Sequence, residues 1–112
     1  MKALYNTDEA LRKIRTAFKV LRQEGVQAQT RYVCCEQCGR PVASYFIPHV
    51  YILREDEMEF RVTGVLPVHY RSPDPDPASQ RALGDQVHIL LKLNGLEVEW
   101  NGDPNHVVMV MA

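Results

Sequence analysis

Three prolines at alternate positions, in Ser72-Pro73-Asp74-Pro75-Asp76-Pro77, divide this chain more firmly than any other stretch. Each proline ring fixes φ and removes a backbone donor, so neither a strand nor a helix can run through the segment. Whatever precedes Ser72 must therefore end there. Asp76-Pro77 is the natural restart, an aspartate N-cap followed by proline at the first helical position. The helix predicted from that point buries Leu83, Val87, Leu90, Leu91 and Leu93 on one wide face, and Asn94-Gly95 is its left-handed stop. His88 lies inside it without a partner at helical spacing, so it reads as a packed or surface residue and not as a ligand.

The N-terminal half is organised by a second helical stripe. Leu11, Ile14, Phe18 and Leu21 recur at the helical period after Asn6-Thr7-Asp8-Glu9, where Asn6 is the expected N-cap and Glu9 can reach back as in a capping box. This helix should end at Gly25. From Val26 to Cys35 the pattern changes to period two, as in a half-exposed strand. Ser44 to Leu53 predicts a second strand, bent or at an edge because of Pro48. Arg54-Glu55-Asp56-Glu57 reads as a charged hairpin tip, leading to a third strand over Met58 to Tyr70. The carboxylates of Glu55, Asp56, Glu57 and Glu59 lack the oxygen spacing of a calcium loop and read as solvated.

Beyond the proline-bounded helix, Leu96 to Trp100 alternates apolar and acidic residues. Asn101-Gly102-Asp103-Pro104-Asn105 is a turn, and His106 to Met111 is a closing strand. The resulting order is αβββαββ. The expected fold is one α+β domain spanning residues 1–112, with a mainly antiparallel five-stranded sheet and the helices on one face.

The net charge of -1 removes the general electrostatic case for nucleic acid, since phosphate binding needs a cationic surface. The basic stripe of Arg12, Arg15, Lys19 and Arg22 is then best read as a solvated helix face. No run approaches the roughly 18 apolar residues that a membrane span requires, and the first residues lack an apolar leader core. A cytoplasmic protein is expected, with a protein partner or self-association and no membrane.

Chemistry concentrates in Cys34-Cys35-Glu36-Gln37-Cys38-Gly39, which holds all three cysteines. An odd number in one turn argues against a disulfide framework. Cys35 and Cys38 have the spacing of a zinc knuckle, but four ligands are needed and no second Cys-x-x-Cys exists. Cys34 is the third thiol, although adjacent strand residues point to opposite faces. With a hairpin tip near Asp56, antiparallel pairing would set His69 opposite roughly Ala43, close to Cys38. His49 would lie up to ~36 Å from Cys38 along a strand. The predicted metal ligands are therefore Cys35 and Cys38, with Cys34 or His69.

Three readings stand for the turn: a structural zinc site, a packed and reduced cysteine cluster, or a redox dithiol of Cys35 and Cys38. A cysteine nucleophile with His69 as base has no evident orienting acid. There is no phosphate loop, zinc-protease motif or nucleophile elbow, so no catalytic residue is assigned and the protein is not expected to be an enzyme.

From Arg31 to Val110 the chain resembles a group of small uncharacterised bacterial domains of unknown function. The resemblance rests on Tyr32 leading into Cys34-Cys35-Glu36-Gln37-Cys38-Gly39, on Glu55 and Asp56 after the second strand, and on Gly95-Leu96-Glu97-Val98-Glu99-Trp100-Asn101-Gly102. It implies a shared fold and no activity. The order αβββαββ is also similar to that of type III secretion chaperones, which bind other proteins, often as dimers. The functional expectation is a non-catalytic interaction or accessory module with a structural cysteine turn, the alternative being a thiol-dependent redox protein or sensor.

Overall fold

In the computed structural model, which describes residues 4–32 and 47–112, the elements run in the order αββαβαββ. They are α1 (Asp8–Gln23), β1 (Gln27–Tyr32), β2 (His49–Leu53), α2 (Arg54–Thr63), β3 (Val65–Arg71), α3 (Pro77–Leu93), β4 (Glu97–Glu99) and β5 (Val108–Met111). The five strands form one sheet in the order β1-β2-β3-β5-β4. Its neighbours are antiparallel except β1 and β2, which are parallel.

The expected α+β domain with a five-stranded, mostly antiparallel sheet is thus present, and two features of its layout differ. The first is α2. Residues 54–57 are the first turn of a helix, not a hairpin tip, and the predicted third strand loses its first half to that helix. Glu55, Asp56 and Glu57 sit at the positive end of the helix dipole and Arg61 at the negative end. Gly64 closes the helix in the left-handed conformation, with φ of 73° and its N–H donating to Phe60 O. The second difference is the parallel β1–β2 pair. The chain between Tyr32 and His49 is long enough for a parallel crossover, which needs about a dozen residues. With the order αβββαββ replaced, the likeness in element order to secretion chaperones no longer holds.

The helix ends follow local chemistry. Asp76 caps α3 as expected, its carboxylate accepting from Ser79 N at 3.0 Å and from Ser79 Oγ at 2.9 Å, with Pro77 in the first turn. At α1 the N-cap is Thr7 in place of Asn6, and no side chain caps it. Glu9 turns outward to Lys13 at 3.4 Å, so the capping box does not form.

One core joins the layers. It takes Ile14, Ala17, Phe18 and Leu21 from α1, Phe60 from α2, and Leu83, Val87 and Leu91 from α3. Against these lie alternate strand residues: Ala28, Val50 and Ile52, Leu66 and Val68, Val98, and Val108 and Val110. The period-two alternation sends their neighbours to the other face of the sheet. There Tyr51 and Leu53 form a second, separate buried cluster, and His49 is wholly buried. All of β2 is therefore buried on both faces.

Candidate functional site

That second face carries the polar groups of interest. On β2, His49 and Tyr51 point away from the core because Val50 and Ile52 point into it. On β3, His69 pairs with Tyr51 and lies on the same face. The rings make a row: His49 and Tyr51 have centroids 4.7 Å apart, and Tyr51 stacks on His69 at 5.1 Å with planes 9° apart. The register expected between these strands, with His69 opposite roughly Ala43, is corrected: His69 lies opposite Tyr51.

Each of the two imidazoles has a polar neighbour. Gln29 Oε1 lies 3.1 Å from His49 Nε2 and also accepts from Gln27 Nε2 at 3.2 Å. An amide oxygen can only accept, so this contact is a hydrogen bond when the His49 proton sits on Nε2. His69 Nε2 lies 3.6 Å from Asp56 Oδ2, an ion-pair distance longer than a hydrogen bond. Asp56 reaches it from the first turn of α2, directly after β2. The next residue, Glu57, accepts from Arg31 Nε at 3.3 Å while its own side chain is only 8% exposed.

Arg31 reaches Glu57 from an unusual backbone. The β1–β2 register slips between Gln29↔Tyr51 and Tyr32↔Leu53, so β1 carries one extra residue there. Arg31 takes that irregularity at φ of 51°, the one described non-glycine residue with positive φ. A bulge of this kind re-aims side chains beside a site, at a cost of about 1–2 kcal/mol for a non-glycine residue in the left-handed region.

A second polar constellation holds the loop after β4. Tyr70 OH donates to His106 O at 2.7 Å, and Trp100 Nε1 to the same carbonyl at 3.2 Å. Both also donate to Asp103 O. Burial raises the Tyr70 phenol above its ordinary value and the Asp103 carboxylate adds to this, against the lowering effect of the Trp100 hydrogen bond. The two rings meet edge to face, with centroids 6.1 Å apart, and Gly84 of α3 leaves the space they occupy. His88 lies against Trp100, in keeping with a packed residue.

A family model described as "Domain of unknown function (DUF6891)" matches residues 2–112. The chain belongs to this family. The resemblance to small uncharacterised domains is met at that level. No curated protein and no solved structure matches the chain. No helix among the described residues of this DUF6891 chain is long and apolar enough to cross a membrane.

Of the predicted ligands, His69 is placed by the structure, whereas Cys34, Cys35 and Cys38 lie outside the described residues. Among the described residues, no group of three or more His, Cys, Asp or Glu converges on one point. Asp56, which the sequence presents as a solvated carboxylate, is instead the neighbour of His69, and the sequence did not reveal His49 and Tyr51 as part of the same row. The alternation His49, Tyr51, Leu53 was the signal that could have found the latter two.

Proposed function

We propose that this DUF6891 domain is a non-catalytic interaction or accessory module whose cysteine turn takes one zinc ion, with Cys34, Cys35 and Cys38 joined by His69. The observation that supports the reading is the Asp56–His69 pair stacked on Tyr51. A carboxylate behind an imidazole is the arrangement by which zinc histidines are oriented and their tautomer fixed. Three thiolates and one imidazole make a common structural zinc set.

Chain reach is consistent with that set. Tyr32 ends β1 beside Leu53, and His69 lies two strands across at the level of Tyr51. With strands ~4.8 Å apart and residues rising ~3.3 Å, Tyr32 and His69 are separated by roughly 12 Å. Cys38 follows Tyr32 by six residues, a reach of up to ~20 Å. The interaction role draws support from exposed apolar pairs one helical turn apart, Met58 with Val62 on α2 and Ile89 with Leu93 on α3.

One observation favours the alternative, a thiol-dependent redox protein. Asp56 is the orienting acid that an imidazole needs in order to activate a thiol. In that reading Cys35 and Cys38 close to a disulfide while a disulfide substrate is reduced to two thiols.

Metal analysis of the whole chain, purified without added zinc and paired with thiol titration, separates the two. Stoichiometric zinc with protected thiols supports the module. Metal-free protein with a reactive low-pKa thiol supports the redox protein and refutes the zinc site.

A further inference from the structure

Strand β3 changes partners along its length. Val65 to Val68 pair with β5, whereas among the described strands His69, Tyr70 and Arg71 pair only with β2. Where β3 and β5 part, a cleft of about 510 Å³ opens between the end of β3, the proline connector and the loop at 104–107. That volume falls within the range of small-molecule sites, about 300–1,000 Å³. Tyr51, Pro73 and Pro104 give it flat, weakly polar walls.

Three cationic or basic side chains line the same cleft: His69, Arg71 and His106. Both imidazoles have carboxylates beside them, Asp56 at 3.6 Å and Asp103 at 3.0 Å. Arg71 differs. It is half-buried, yet among the described residues its guanidinium makes no ion pair and donates no hydrogen bond. Arg22 donates to Ala28 O, Arg31 to Glu57 and Arg81 to Gly102 O, whereas Arg15, Arg54 and Arg61, which like Arg71 have no such partner among the described residues, are exposed to water. A planar fork of five donors in a partly desolvated cleft matches a carboxylate or a phosphate oxygen pair.

We propose that this cleft binds a small organic anion, a carboxylate or phosphate on a flat apolar body, with Arg71 as its bidentate anchor and the tyrosine and proline walls against the body. The proposal goes beyond the zinc reading: the cleft shares His69 with it, but its anchor is Arg71, which is not among the proposed ligands.

The test is an amide NMR titration of the whole chain with benzoate, phenyl phosphate, inorganic phosphate and, as the uncharged counterpart, benzamide. Benzoate or phenyl phosphate should give saturable shifts centred on His69, Arg71, Ser72 and residues 105–107, and the tighter of the two identifies the head group. Arg71→Gln should weaken that binding about tenfold or more, while Arg71→Lys, which keeps the charge and loses the fork, should weaken it less. The two variants' own spectra report whether each is folded, so either alone suffices. Benzamide binding as tightly as benzoate, unchanged binding by a folded Arg71→Gln, or no saturable shift with either anion would overturn the proposal. Inorganic phosphate matching phenyl phosphate would overturn the part played by the apolar walls.

Discussion

Gly84 offers a test in which two well-known effects oppose each other and the structure decides the sign. The residue sits within α3, where helix propensity alone favours alanine over glycine by about 0.8–1.0 kcal/mol. A Cβ placed there would lie 2.7 Å from Trp100 Cζ2, 2.9 Å from Tyr70 Cζ and 3.0 Å from Trp100 Cη2. Neither ring can yield alone, because Tyr70 and Trp100 pack edge to face and both are tethered to the carbonyls of Asp103 and His106. Overpacking of this kind costs about 1–3 kcal/mol, so after the propensity gain Gly84→Ala should destabilise by about 1 kcal/mol. For a domain of this size that lowers Tm by about 4 °C. Urea unfolding followed by circular dichroism and by the fluorescence of Trp100, the only tryptophan, measures both the stability and the displaced ring. Trp100→Phe removes the crowded benzo ring, so the cost of Gly84→Ala should shrink in that background. A Gly84→Ala protein as stable as the parent or more so would refute the packing argument.

Arg31→Gly and Arg31→Ala both remove the ion pair to Glu57, but only glycine relaxes the backbone at φ of 51°. Arg31→Gly should therefore be the more stable by about 0.5–1 kcal/mol in urea unfolding, and the reverse order would remove the claim of strain at the bulge. Tyr70, raised by burial and by Asp103, favours its neutral form in the fold. The stability this supplies is complete below the ordinary tyrosine value and is lost as pH rises through the raised one. An ultraviolet phenolate titration should show a late component that is absent in Tyr70→Phe. At Asp76 the Ser79 backbone N–H, then the Ser79 hydroxyl, lower the carboxyl below its ordinary 3.8. Its contribution is present above that value and lost as pH falls through the lowered one, so the advantage of the parent over Asp76→Asn should close as pH falls below the ordinary range. A gap that stays constant with pH would contradict the capping charge.

Much of the fold was legible where local signals agreed. At α3 the proline connector, the Asp76 cap, the apolar stripe and Asn94-Gly95 all point the same way, and the helix follows them, except that Leu93, expected on the buried face, is exposed at the helix end. The β4–β5 hairpin was readable for the same reason. At residues 54–63 the signals conflicted. Phe60, Val62 and Gly64 continue a period-two pattern into Leu66 and Val68, which favours a strand. Acidic residues at one end, Arg61 at the other and a closing glycine favour a helix, and they prevail because α2 buries Phe60 in the core. Misreading α2 shifted the expected register and hid Asp56 from His69. The parallel β1–β2 pair was obscured because register between distant strands is a tertiary property, fixed by burying β2 on both faces. The row of His49, Tyr51 and His69 emerges only once that pairing is known.

The zinc content of the purified chain, with and without the Asp56–His69 pair, tests the central claim most directly. Elemental analysis should find one zinc per chain, with the thiols of Cys34, Cys35 and Cys38 protected until a chelator is added. Asp56→Asn should lower zinc affinity about 10–100-fold by freeing the imidazole from its orienting carboxylate. His69→Asn should lower it further. Metal-free protein with accessible thiols, or full zinc occupancy and unchanged affinity in both variants, would contradict the account.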